Sequence, residues 1–240
     1  MQDGLYVALS SQIALERRLN TIADNVANAS TVGFRATGVK FEDVVSGLGQ
    51  KSVAFVSSGD TYLSTASGAL RQTGNPLDFA IKGDAWFGID TPAGIVMTRD
   101  GRFTMQEDGQ LVTVEGYPVL DAGGAPIQLD PRNGTPEAGA DGMLRQGGQP
   151  VGALGLFTFD PGVNFTRFAN SGIIPNGAPQ PVVDRIDVSV VQGYVEESNV
   201  NPILEMTRLI SVQRAFENTA ALMRSSEQTF SEAVKTLGSK

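Results

Sequence analysis

The sequence predicts a mixed α and β fold, with long N- and C-terminal helices forming an inner coiled-coil-like core and an all-β domain inserted between them. Three observations predict it. Apolar side chains recur at steps of three and four near both termini and nowhere between about 71 and 195. The middle carries short β-branched and aromatic runs punctuated by Gly and Pro. Each terminal pattern runs well past the roughly 11–12 residues of an average globular helix.

At the N-terminus the apolar positions are Leu5, Ala8, Gln12, Leu15, Leu19, Ile22, Val26 and Ala29, of which seven of eight are apolar. That is a coiled-coil-type seam of about 3.5 residues per turn. No Gly or Pro lies between Leu5 and Val32, so the segment predicts a helix of ~40 Å at ~1.5 Å per residue. Leu9 and Ile13 widen the stripe beyond one seam, which implies more than one packing partner. Asn25, Asn28, Gly33 and Phe34 are expected to end this helix. The amides can satisfy open backbone groups, Gly33 can take positive φ, and Phe34 can anchor the following chain by burial.

The C-terminus repeats the pattern. Asn201-Pro202 reads as N-cap and first helical residue, and Gly238 as the stop. Leu209, Val212, Phe216, Thr219, Met223, Ser226, Phe230, Ala233 and Leu237 again alternate three and four, with seven of nine apolar. This helix is expected to reach ~50 Å.

Between the ends, Asp100-Gly101 and Asp108-Gly109 read as hairpin-type turns among Met97, Phe103, Met105 and Leu111. Leu154 to Phe159 and Ile186 to Val191 read as further strands. Residues 121–150 hold seven Gly and four Pro and predict turns and short strands. The expected division is therefore a helical assembly segment over 1–35, an extended bridge or loose hairpin over 36–70, the all-β domain over 71–195 and a second helical assembly segment over 196–240.

Composition narrows the chemistry. The chain has no Cys and no His, which excludes disulfides, thiolate or imidazole metal sites and His-based triads. Its net charge is −8 and its 18 Lys and Arg are scattered, which argues against nucleic acid and against an anionic membrane surface. No apolar run reaches the ~18 residues of a membrane span, so no membrane insertion is expected, and no cleaved signal peptide is read at the N-terminus. Arg99, Arg102 and Phe103 spoil any calcium loop at the Asp-Gly turns. Asp78 and Asp84 have nothing to make them a hydrolytic pair, and Ser57-Ser58 has no matching base. Asn28-Ala29-Ser30, Asn133-Gly134-Thr135 and Asn164-Phe165-Thr166 match the glycosylation sequon and are read as incidental. No catalytic residue, cofactor or metal is expected.

Three segments carry a resemblance. Asp24-Asn25-Val26-Ala27-Asn28-Ala29-Ser30-Thr31-Val32-Gly33-Phe34-Arg35 is an Asn-rich helix end running into Gly-Phe-Arg. Thr73-Gly74-Asn75-Pro76-Leu77-Asp78-Phe79-Ala80-Ile81-Lys82-Gly83-Asp84 continues through Thr98-Arg99-Asp100-Gly101-Arg102-Phe103-Thr104 to Gly116-Tyr117-Pro118-Val119-Leu120. Glu197-Ser198-Asn199-Val200-Asn201 leads to Gln213-Arg214-Ala215-Phe216-Glu217. In this order the segments resemble the bacterial flagellar rod and hook family. The moderate length and the β insert are those of a rod member. The opening Gly4-Leu5-Tyr6-Val7-Ala8-Leu9-Ser10 and the ending Leu209-Ile210-Ser211-Val212-Gln213-Arg214 resemble the proximal rod member more, with the distal one as the alternative.

The resemblance implies a structural, non-enzymatic subunit that self-assembles into the hollow shaft carrying motor torque. It implies export without a cleaved signal through the flagellar type III apparatus, a place in the basal-body rod within the periplasmic space, and other rod proteins and copies of itself as partners. The residues expected to pack between subunits are Leu5, Ala8, Leu15, Leu19, Ile22, Val26, Asn25, Asn28, Gly33, Phe34, Leu209, Val212, Phe216, Met223, Phe230 and Leu237. The two ends are expected to lack apolar partners within their own chain and to be poorly ordered in a free monomer. Two other classes stay open: a β-domain binding module dimerised by its helices, and a peptidoglycan-acting enzyme of the cell envelope.

Overall fold

The computed structural model describes residues 2–46, 53–57, 59–183 and 185–238. Gly47 and Gly49 of the expected bridge, and Ser58, lie outside the described residues. The chain divides into two compact units: Met1–Ala27, Thr37–Thr61 and Asn201–Lys240 form the first, and Asn28–Ala36 with Tyr62–Val200 form the second.

The first unit is built on the two terminal helices. Helix α1 spans Gln2–Ala27. It is followed by β1 (Thr37–Lys40), β2 (Asp43–Ser46), β3 (Val53–Val56) and the start of β4 (Asp60–Leu63). β2 and β3 pair antiparallel, Asp43 opposite Val56 and Ser46 opposite Val53. Asn25 closes the end of α1: its amide donates to the Thr37 carbonyl and accepts from the Thr37 N–H, both at 2.9 Å. One buried side chain thus bonds both backbone polar groups of a strand residue.

Helix α2 spans Pro202–Gly238. The Asn201 side chain accepts from the Leu204 N–H at 3.1 Å, and its carbonyl takes the Glu205 N–H at 3.0 Å, so the cap and the proline sit where the sequence puts them. Replacing Asn201 by Ala is expected to cost about 1 kcal/mol, read as a lower urea midpoint for loss of helical circular dichroism.

Within this unit α1 packs against α2 and against β3. Ala14 and Ile22 of α1 and Val212 of α2 are buried; Ala8, Leu15, Leu19, Val26, Leu209, Phe216 and Met223 are half-buried. The side chains of Leu5, Phe230 and Leu237 lie outside the described residues. The expectation that neither end has a partner in its own chain is corrected here: one stripe of each helix packs within a single chain. That stripe is not all the apolar surface the helices carry, and α2, at 37 residues against 26, is ~16 Å longer than α1 can cover.

The second unit is all β. Its strands begin with β5 (Leu70–Gln72), β6 (Phe79–Lys82), β7 (Trp86–Thr91), β8 (Gly94–Thr98), β9 (Phe103–Met105) and β10 (Leu111–Thr113). They continue with β11 (Glu137–Ala138), β12 (Met143–Gln146), β13 (Gln149–Ala153), β14 (Leu156–Thr158), β15 (Thr166–Phe168), β16 (Gly172–Ile174), β17 (Gln180–Pro181), β18 (Ser189–Gln192) and β19 (Tyr194–Glu196). The largest sheet has the order β15-β16-β8-β7-β14-β17. β18 pairs with β6 and β19 with β5, so the last strands of the unit return to its first. The core is Phe79, Phe87, Phe103, Leu111, Val119 and Leu144 with their neighbours, and a second cluster holds Leu63, Trp86, Met97, Phe157 and Ile173.

Two sequence expectations change. Asp108-Gly109 does turn a hairpin, β9 to β10. Asp100-Gly101 does not: it forms a corner at which the Gly101 carbonyl accepts the Phe79 N–H at 2.9 Å, and a Cβ on Gly101 would stand 1.8 Å from the Phe79 carbonyl oxygen. The glycine is needed for close backbone approach, a demand that the dipeptide alone does not reveal. Of the run Ile186 to Val191, only the last three residues enter a strand, and Ile186 is a fully exposed turn residue.

Candidate assembly surface and buried junction

Each helix carries a second apolar stripe that the first unit leaves in water. On α1 it is Tyr6, Leu9 and Ile13, 57%, 45% and 52% exposed. On α2 it is Ile203, Met206 and Ile210, 78%, 51% and 52% exposed, with Leu222 farther along at 71%. The steps within each trio are three and four, so each trio lies along one face.

The other feature lies in the second unit, where segments 28–36, 64–68 and 196–200 meet. Glu196, 1% exposed, is at its centre. Its carbonyl accepts the Gly33 N–H at 2.8 Å and its Oε1 accepts the Gly68 N–H at 2.9 Å. The same Oε1 lies 2.8 Å from Nη2 of Arg35, and Oε2 lies 3.0 Å from Nε of Arg99. The second contact is off the hydrogen-bonding direction and acts through charge, since neither atom has a hydrogen-bond partner among the described residues. Arg99 donates to the carbonyls of Ala85 at 2.5 Å and Gly83 at 2.9 Å, and Arg35 to those of Thr65 at 2.9 Å and Ala66. Both guanidiniums lie 5.8 Å from the Trp86 ring centroid.

Two buried cations around one buried anion leave an excess positive charge. Burial lowers the Arg99 guanidinium to about 10, with Glu196 pulling it back up. Burial lowers Arg35 as well, opposed by Glu196 and then Asp84. At neutral pH both remain cations, and Glu196 is the counter-ion they share.

Asn199 completes the junction. Its Oδ1 accepts the Ala36 N–H at 2.7 Å, and its Nδ2 donates to Ser64 Oγ at 3.1 Å and the Ala66 carbonyl at 2.7 Å. Gly33 has φ +71° and packs so closely that a Cβ there would stand 2.3 Å from the Asp100 nitrogen. Phe34 is 2% exposed, with the Arg167 guanidinium 4.3 Å from its ring centroid.

The residues singled out in the sequence thus fall into two groups. Asn25, Asn28, Gly33 and Phe34 make intrachain structure, Asn28 by accepting the Thr31 N–H at 3.1 Å. The seam residues line the helices. Glu196, Arg35, Arg99 and Asn199 were not singled out. For Arg35 and Glu196 the sequence signal is a charged residue directly beside a buried apolar one, Phe34 and Val195. Arg99, between Thr98 and Asp100, and the uncharged Asn199 carry no such signal. The carboxylates weighed for other chemistry serve their own turns: Asp100 pairs with Arg102 at 2.6 Å, Asp108 accepts the Gln110 N–H at 3.0 Å, and Asp78 accepts from the Asn75 amide at 3.0 Å.

Comparison with known proteins matches three family models along the chain. Residues 5–35 match "Flagella basal body rod protein", 80–145 match "Flagellar hook protein FlgE/F/G D1 domain" and 191–236 match "Flagellar basal body rod FlgEFG protein C-terminal". The flagellar basal-body rod protein FlgF of Mesorhizobium japonicum is 74% identical over 240 residues, covering 100% of both chains. The chain belongs to the flagellar basal-body rod protein family. FlgF of Rhizobium meliloti is 59% identical over 99% of each chain, and the rod protein FlgG of Bacillus subtilis 32% over 98% of each. Seen against this family, the ion cluster has a simple description: each matched segment supplies one member, Arg35 from the first, Arg99 from the second and Glu196 from the third.

Proposed function

We propose that this rod-family subunit polymerises through its terminal helices, with copies of itself and with other rod proteins, into the hollow shaft that transmits motor torque. The carrying observation is the pair of exposed apolar stripes. The seams knit α1 to α2 within one chain and make the helical building block. Tyr6, Leu9 and Ile13 with Ile203, Met206 and Ile210 then meet neighbouring subunits in a coiled-coil-like inner wall. This moves the main intersubunit role from the seam to the second face. Exposed apolar stripes along a helix pair are what a polymer interface needs and what a monomer avoids.

The role is mechanical and not enzymatic. The identity of 74% to a FlgF, against 32% to a FlgG, supports the proximal position over the distal one. No described helix is long and apolar enough to cross a membrane. Export through the flagellar type III apparatus, and residence in the periplasmic part of the basal body, follow from the same reading.

Placing glutamates at Leu9 and Ile210 tests it. Both sites are about half exposed, so the monomer is expected to keep its stability within about 0.5 kcal/mol, while the subunit disappears from purified basal bodies and motility is lost. Normal swimming with the double variant present in basal bodies would refute the assignment.

A further inference from the structure

We propose that Asn133 is a site of spontaneous backbone modification in the folded protein, converting to aspartate and isoaspartate through a cyclic imide. The chain has two Asn-Gly pairs, Asn133-Gly134 and Asn176-Gly177. In such a pair the glycine nitrogen can reach the asparagine side-chain carbonyl carbon, because no following side chain blocks it. The fold treats the two pairs differently.

Asn133 is the exposed last residue of a turn in which its N–H donates to the Asp130 carbonyl at 3.1 Å. Its side chain makes no hydrogen bond among the described residues. Gly134 has φ +75°, and no heavy atom lies within 4 Å of where a Cβ would stand. Gly177 is equally open, so the two pairs differ in the tether on the asparagine side chain. Asn176 is exposed too, but its Nδ2 donates to the Pro161 carbonyl at 3.1 Å, which holds the amide away from the required rotation.

The chemistry needs only water. The Gly134 nitrogen gives up its proton and bonds to Cγ of Asn133, the Cγ–Nδ2 bond breaks, and ammonia leaves. Water then opens the ring at either carbonyl, giving aspartate or, with the main chain rerouted through Cγ, isoaspartate. No oxidation state changes, and one negative charge is added.

The place has a structural consequence. Gln146, 2% exposed, clamps both sides of this loop: its Nε2 donates to the carbonyls of Asp130 at 3.0 Å and Gly134 at 2.7 Å, and its Oε1 accepts the Asp130 N–H at 2.9 Å. Isoaspartate lengthens the main chain by one carbon between those two clamped residues, so the Gly134 bond is the one expected to give way.

The test is incubation of the purified full-length chain at mildly alkaline pH, with peptide mapping by mass spectrometry that separates isoaspartate from aspartate, in buffer and in concentrated urea. In buffer Asn133 is expected to convert several-fold faster than Asn176, and in urea the two rates are expected to converge. N133Q is expected to abolish the product at that position and leave the Asn176 rate unchanged. Equal rates in buffer, faster conversion at Asn176, or conversion at Asn133 only after unfolding would overturn the proposal.

Discussion

Replacing Glu196 by Gln is expected to destabilise the β unit by about 3–5 kcal/mol, the usual cost of removing one partner of a buried ion pair. The substitution keeps the shape and removes the charge. Arg35 and Arg99 then share a space in which their side chains are 4% and 2% exposed, with no anion between them. Neither can turn to water without releasing the carbonyls it holds, those of Thr65 and Ala66 for one and of Gly83 and Ala85 for the other. The matched control is next in sequence. Glu197 pairs with Arg71 at 2.9 Å, but both side chains are about half exposed. E197Q is expected to cost no more than about 0.5 kcal/mol. Urea denaturation followed by Trp86 fluorescence measures both, since Trp86 lies beside the cluster and is the chain's one tryptophan. Equal midpoints for the two variants would show that the cluster does not hold this unit together.

The second large effect is expected from Gly33→Val. A Cβ at this position meets the backbone of Asp100 at 2.3 Å, and backbone cannot swing aside as a flexible side chain can. The φ of +71° adds strain that a β-branched residue tolerates least. A loss of at least about 3 kcal/mol is expected from the two together. G33A carries the same Cβ and should fail almost as badly, which distinguishes a clash at Cβ from a shortage of volume farther out. In cells, the Val variant is expected to impair rod formation more than export, because the defect lies in folding the second unit. Normal motility of that strain would contradict this.

These predictions rest on features of unequal visibility in the sequence. The helices were legible because periodicity and capping are local: Asn201, Pro202 and Gly238 mark the limits of α2 within a residue. The β character of the middle was legible from turn residues and β-branched runs. Gly33 was legible as a special backbone position, though the reason, contact with Asp100 sixty-seven residues on, was not. The ion cluster was hidden because its members lie at 35, 99 and 196, and nothing local tells a buried arginine from an exposed one. Arg35 and Arg71 look alike in sequence. One is buried beside Glu196 and the other half exposed beside Glu197. The packing of α1 on α2 within one chain was also missed, since a seam of that period specifies a helical partner but not which chain supplies it.

The absence of cysteine opens a direct test of the central claim. Single cysteines at Ile13, Ile203 and Ile210, with one at Ile186 on the β unit as a reference, can be labelled with a water-soluble maleimide in the purified monomer and in intact basal bodies. The account predicts fast labelling at all four in the monomer, and loss of labelling at the three helix positions on assembly. Helix cysteines that label as fast in basal bodies as in the monomer would contradict it.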